Sequence, residues 1–478
     1  MVGRRAVLES LCCMVLSTSA YGDDVSLREE AAVGLRKAVA FFRKEVATEG
    51  GYLWRYSADL TRREGEGKAS ASTVWVQPPG TPSVGMAYLQ AYEATGEDYY
   101  LAAARETADC LVKGQLRSGG WDYRVEFEPQ GRKRYAYRTE AHEDGRNSTT
   151  LDDDNTQSAV RLLMRVDRAL EFKDGKIHEA VQYALAQLLK AQYPNGAWPQ
   201  RFDRPPDPEK FPVRKASYPQ SWSRTYPGGD YRGHYTFNDN AISDMIEVML
   251  EAGRTYRDDR YAAAAERAGG FILLAQMPEP QPAWAQQYDA QMHPAWARKF
   301  EPPAITGGES HAVMRTLLLI YRHTGNDKYL EPLPRAIEYF RRSRLPDGRL
   351  ARFYELKTNR PLYFTGDYKL TYSDADAPTH YAFKVGSRIE EIAAEYERLR
   401  AMGPEALKVA TQPARARLTP QLIAQARAAI AGLDERGRWV EQGRLQYQDF
   451  KGDIIDCATF IRNVRTLSRY LAAAEPRL

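Results

Sequence analysis

Apolar residues recur at three- and four-residue intervals along most of the chain, as in Leu27 to Val46, Val84 to Leu116, Ala159 to Leu170, Ile177 to Gln192 and Ala241 to Tyr256. That spacing places them on one face of a helix and predicts amphipathic helices packed on a common core. Alternation of period two is scarce. A self-similar segment punctuates the helices: EGGYLWRY at Glu49, SGGWDY at Ser118, PNGAWPQRF at Pro194, PQPAWAQQY at Pro280 and PDGRLARFY at Pro346. Counted from Trp54 to Trp121, Trp198, Trp284 and Leu350, the steps are 67, 77, 86 and 66 residues, each with room for two helices. The repeat is therefore a helical hairpin, which either closes into an α/α toroid or stacks into an open solenoid. In a toroid the aromatic turns would gather at one end and line a groove. Each aromatic would be a pin between helices or, less commonly, a platform for a sugar.

Two stretches interrupt the repeats. Residues 124–150 and 201–234 are polar, carry Pro and Gly, and are too long for simple connections, so they are expected to be functional loops over the groove. Beyond Met402 a Pro- and Ala-bearing stretch reads as a linker to a last helical hairpin, Pro420 to Leu471, whose turn again carries GRW at Gly437. This hairpin is a final repeat or a small appendage. The expected division is 1–22, 23–402 and 403–478.

The chain has 478 residues, 43% apolar and 11% aromatic, enough for a large core. A net charge of +4 from 67 basic and 63 acidic residues is too small to argue for nucleic acid or a membrane surface, so any acidic ligand must be held by a local basic site. Arg4 and Arg5 precede a mostly apolar stretch, Ala6 to Ala20, and Ala20 and Gly22 are small at the positions a signal peptidase reads. Residues 1–22 are accordingly expected to be a signal peptide and the protein secreted or periplasmic. Glu9 interrupts the apolar stretch, and an ordinary N-terminal helix is the alternative. Cys12 and Cys13 would leave with the signal; Cys110 and Cys457 lie in apolar helical patterns and read as buried thiols, with a disulfide between them left open.

Three groups of residues carry candidate chemistry. In STTLDDDNTQSAVRLL, Asp152, Asp153, Asp154 and Asn155 precede a helix; in HYTFNDNAISDMI, Asn238, Asp239 and Asn240 do the same. Helix capping explains one such residue per helix. Three successive acids repel one another, which a hard cation such as calcium would relieve, and Asp152 and Asp239 could share one ion. The third group is basic: Arg298, Arg315 and Arg352 sit at or near turns, and their planar forks suit the carboxylates of a uronic-acid chain. Surface pairing of an arginine with Glu301 or Glu355 is the competing account.

Taken in order, TTLDDDNTQSAVRLL, KAQYPNGAWPQRF, YTFNDNA, PAWARKFEPPAITGGES and ARFYELKTNRPLY resemble the motif set of the pectate lyases of polysaccharide lyase family ten, over roughly Ala31 to Arg400. The resemblance implies an all-α fold, an α/α toroid (incomplete α/α barrel) of repeated helical hairpins. It also implies calcium dependence and β-eliminative cleavage of polygalacturonate or a related acidic polysaccharide. By position it assigns the metal to Asp152, Asp153 (where the family usually has Asn) and Asp239, the catalytic base to Arg298 and substrate binding to Arg352. Arg315 stays a further substrate-binding candidate on its place near a turn alone. The expected enzyme is a monomeric polysaccharide lyase with no nucleic-acid or membrane partner. One departure stands out. Where the family has a further substrate-binding Arg beside an Asp, this chain reads YFTGDYKL, with Lys369 the nearest cation. The alternatives are a glycoside hydrolase acting on uronic-acid oligosaccharides and a non-catalytic uronan-binding homologue.

Overall fold

The computed structural model describes residues 26–403, 406–407 and 417–474. The signal-peptide reading and most of the linker lie outside them. Among the described residues twelve long helical segments alternate between two layers, and α1 occupies residues 26–46. Five helices follow in the first half, α2 (Thr81–Thr95), α3 (Asp98–Lys113), α4 (Asn155–Ala169), α5 (Gly175–Lys190) and α6 (Ala241–Tyr256). The second half adds α7 (Asp259–Ala275), α8 (Glu309–Thr324), α9 (Leu333–Arg342), α10 (Ile389–Arg400), α11 (Pro420–Ala431) and α12 (Cys457–Ala473).

The even-numbered helices pack side by side as an inner layer, α12 on α2, α2 on α4, and onward through α6 and α8 to α10. The odd-numbered helices form the outer layer. Because α12 packs on α2, the last hairpin stands beside the first, and the array is an α/α toroid instead of an open superhelix. The outer layer makes the same connection: a Cβ at Gly437, in the turn after α11, would lie 2.6 Å from the carbonyl oxygen of Lys37 on α1.

The repeated turn explains itself physically. After each of α3, α5, α7 and α11 the indole N–H of Trp121, Trp198, Trp284 or Trp439 donates to a carbonyl near the end of that helix: Leu111, Leu188, Ile272 and Ala429, at 2.7–2.9 Å. These rings are buried pins, not sugar platforms. Two residues before Trp198, Gly196 sits at φ +95°, with its α-carbon so close to the Arg267 carbonyl that a side chain could not be placed. The same spacing from Gly50 falls on Tyr52, which is 1% exposed, so Tyr52 and not Trp54 is the pin of the first repeat. Trp54 is partly exposed and bonds to the carbonyl of Gln77.

Short strands follow the turns. Arg55–Ser57 pairs antiparallel with Phe450–Asp456, which ties the N-terminal turn to the C-terminal hairpin. Ala304–Thr306, Phe353–Glu355, Pro361–Phe364 and Leu370–Thr371 form a four-stranded antiparallel sheet. A separate apolar cluster of Trp296, Phe353, Phe364 and Phe383 packs there, apart from the main core. Cys110 and Cys457 are free and buried, and burial pushes the Cys110 thiol up to about 12. Among the described residues no helix is long and apolar enough to cross a membrane.

Candidate active site

The mouth at which the inner helices begin collects the polar groups. Gln77 precedes α2, Asp152–Asp154 make one 3-10 turn before α4, Asn238–Asn240 make another before α6, and Glu309 opens α8. The two turns are built alike. The backbone N–H of Asp152 donates to Thr150 Oγ1 (3.3 Å) and that of Asn238 to Thr236 Oγ1 (3.0 Å). The chain then passes through two left-handed residues in each: Asp153 (φ 52°) and Asp154 (φ 55°), then Asp239 (φ 46°) and Asn240 (φ 60°). Such residues cost roughly 1–3 kcal/mol each and persist only where something else demands them. Capping does not: neither Asp154 nor Asn240 accepts a cap hydrogen bond.

The outcome is a cluster in which oxygens of Asp152, Asp153 and Asp239 all lie within 4.8 Å of one another. Two calcium–oxygen bonds end to end span about that distance. Asp152 Oδ2 accepts from Tyr123 OH (2.9 Å), and its Oδ1 is buried with no hydrogen-bond partner among the described residues. Asp153 Oδ2 accepts from Gln77 Nε2 (3.0 Å), and Asp239 accepts from the Asn238 amide. Burial first, then repulsion from Asp152 and Glu66, raises Asp153 to about 6. Burial, then Asp153 and Asp152, raises Asp239 to about 7. An orphaned oxygen and carboxyls driven toward their neutral forms are what a hard divalent cation would resolve, and the donor set fits one. Asp154 is turned away from this cluster, its carboxylate 3.2 Å from Arg161.

Facing the acids is a basic group set on the small sheet and its flanking loop. Arg298 donates Nε (2.8 Å) and Nη2 (2.5 Å) to Glu301, a residue 1% exposed. Gln286 and Tyr381 also donate to that carboxylate, at 2.7 and 3.1 Å. Arg352 donates Nη1 to Glu309 (2.7 Å) and Nε to the Ala382 carbonyl (2.7 Å), and it lies 4.6 Å from the Tyr381 ring centroid. So Arg298 does pair with Glu301, but in a buried fork and not on the surface. Arg352 pairs with Glu309, while Glu355 is taken by Arg224. Burial disfavours the charge on Arg298, but the hydrogen bonds and charge of Glu301 outweigh it, so its pKa is raised.

Arg315 is not brought into this group; it pairs with Glu391 of α10 at 3.1 Å. Lys369 pairs with Asp367 on an exposed hairpin. Sequence reasoning missed Arg201, which donates to Tyr123 OH (3.2 Å) and stands 3.9 Å from Asp152. Its place in PNGAWPQRF was the available signal. Tyr123 had a like signal as the aromatic that ends SGGWDY, whereas Tyr381 and Gln77 had none. From the 201–234 loop, Tyr231 feels the charges of Arg298, Glu301, Asp152 and Arg201, which sets that loop beside the site.

Residues 125–348, a little under half of the chain, match the family model described as pectic acid lyase. The resemblance carried by the motifs is borne out. The lyase-like stretch contains both aspartate turns, Arg201, Arg298 and Glu309, and stops short of Arg352. Among solved structures, the family 10 polysaccharide lyase from Cellvibrio cellulosa is 21% identical, with a TM-score of 0.47, over 67% of this chain and 98% of that one. A mutant of that lyase in complex with trigalacturonic acid is 21% identical, with a TM-score of 0.47, over 66% and 98%. A cellobiose 2-epimerase from Bacillus thermoamylovorans is 12% identical, with a TM-score of 0.44, over 93% and 99%. No curated protein matches the sequence.

Proposed function

We propose that the chain is a pectate-lyase-type enzyme that cleaves polygalacturonate or a related acidic polysaccharide by β-elimination. One observation supports this reading above the rest: three carboxylates and two buried-paired arginines face one another at a single mouth of the toroid, most of them within the stretch that matches pectic acid lyases.

Asp152, Asp153 and Asp239 are the residues that would hold a calcium ion, which when bound would neutralise the substrate carboxylate and acidify the proton beside it. Arg352 keeps Nη2 without a hydrogen bond among the described residues after its Nε and Nη1 are used, and that nitrogen grips a uronate carboxylate. Arg298 keeps Nη1 in the same way and takes the proton from the carbon next to the carboxylate. The electrons of that C–H bond form the new carbon–carbon double bond, the bond to the glycosidic oxygen breaks, and that oxygen gains a proton from water. Glu301 stabilises Arg298 in its charged form, which is the product of the transfer. The same pairing makes the neutral, proton-accepting form scarce, so turnover rises with pH. We also propose that residues 1–22 direct export, checked by N-terminal sequencing of the mature protein.

Digestion of de-esterified polygalacturonate in heavy-oxygen water tests the reaction class. A lyase gives an ultraviolet-absorbing unsaturated product with no heavy oxygen at the new reducing end. A saturated product carrying heavy oxygen there would make the chain a hydrolase and overturn the proposal.

A further inference from the structure

The opposite mouth, where the inner helices end, holds a cavity of about 1270 Å³ lined by five arginines against two glutamates. One basic residue in the last turn of a helix is ordinary, because it complements the negative end of the macrodipole. That accounts for Arg168 on α4 and Arg254 on α6 singly. It does not account for Arg257, beyond the end of α6 and held at φ 54°. Nor does it account for the absence of partners: the side chains of Arg168, Arg254 and Arg257 make no ion pair or hydrogen bond with any described residue. Deeper in the ring, burial and then the nearby charge of Arg165 lower the pKa of Arg465, so positive charge is in excess there as well.

The cavity rim is built rather than incidental. Asp167, 0% exposed, accepts from His178 Nδ1 (2.9 Å) and Tyr256 OH (2.8 Å) through one oxygen, and its other oxygen has no partner among the described residues. These bonds fix two rings against Phe172, whose centroid lies 5.8 Å from that of Tyr256 and 6.3 Å from that of His178. Phe172 is 42% exposed, and it and Glu171 are both held in the left-handed region, at φ 62° and 55°. An aromatic kept exposed at the cost of backbone strain, beside unpartnered arginines, has the chemistry of a sugar-acid site.

We propose that this cavity is a second, non-catalytic binding site for a carboxylated oligosaccharide, with Arg168, Arg254 and Arg257 holding carboxylates and Phe172 lying against a sugar face. The choice of a uronate rests on the reading of the other mouth; the charge and the exposed aromatic do not.

Trigalacturonate is titrated by calorimetry into the full chain in excess chelator, which silences cation-dependent binding. The expected result is one binding event that weakens roughly tenfold or more in Arg168→Glu/Arg254→Glu. That variant should melt with the parent and cleave polygalacturonate in calcium at the parent rate. Phe172→Ala should weaken trigalacturonate while leaving any binding of inorganic sulfate unchanged. The proposal is overturned if no chelator-resistant binding is seen, or if it is seen undiminished in the folded double variant. It is equally overturned if sulfate matches trigalacturonate and Phe172→Ala changes neither. Chelator-resistant binding by a chain that never yields unsaturated product would sink the lyase reading and leave this one standing; product without such binding would do the reverse.

Discussion

The acidic and basic sides of the candidate site are built in opposite ways. Asp152, Asp153 and Asp239 come from two local turns of one design, each strained, each at the start of an inner helix, and the three carboxylates are left to repel one another. Arg298 and Arg352 come from a loop and a strand edge on the small apolar cluster. Each is locked by a buried glutamate, and Tyr381 bridges the two pairs, 3.1 Å from Glu301 and 3.4 Å from Arg352. The first side stores unsatisfied charge and so invites a cation. The second has its charge compensated in advance, which fixes the geometry in which the remaining guanidinium nitrogens meet the substrate.

If the sides have separate roles, substitutions should separate them, and the largest effect should come from the basic side. Arg298→Lys keeps a charge but loses Nη1 and the fork, so turnover should fall about a hundredfold or more while calcium-dependent binding of polygalacturonate survives, as measured by single-turnover kinetics and calorimetry. On the acidic side, Gln77→Ala removes the hydrogen bond that orients Asp153 and should weaken the cation about 10–100-fold with turnover restored at high calcium. Smaller, but more telling, is Glu301→Gln. Glu301 raises the Arg298 pKa, so removing its charge lowers that pKa and makes the neutral form more abundant at any given pH. The pH–rate profile should move to lower pH; a uniform loss of rate would mean that Arg298 works only as a charged anchor. Smallest is Asp239→Asn in chelator, where relieved repulsion should raise the melting temperature by about a degree or two, since Asn tolerates the left-handed φ.

The same contrast governs what could be read from the chain. The helical hairpins, the aromatic turns and the two aspartate segments are local, and their periodicity and composition carry them. The first repeat was nonetheless counted from Trp54, because three aromatics stand in EGGYLWRY and only the left-handed Gly50 singles out Tyr52. The strands escaped because most are two to four residues long, too short for alternation to register. Arg298, Arg315 and Arg352 were all legible as arginines near turns, but that signal does not separate them: only the family motifs set Arg298 and Arg352 apart, and Arg315 stands with Glu391. Glu309 and Tyr381, 43 and 29 residues from Arg352, owe their roles to tertiary contact, which no local pattern encodes.

The most direct measurement is the rate of unsaturated product from de-esterified polygalacturonate, followed by ultraviolet absorbance, for protein stripped with chelator and then titrated with calcium. The expected result is no product in chelator and full recovery on calcium, with the Asp152, Asp153 and Asp239 alanine variants recovering only at much higher calcium or not at all. Product formed as fast in chelator as in calcium, or none at any calcium concentration, would contradict it.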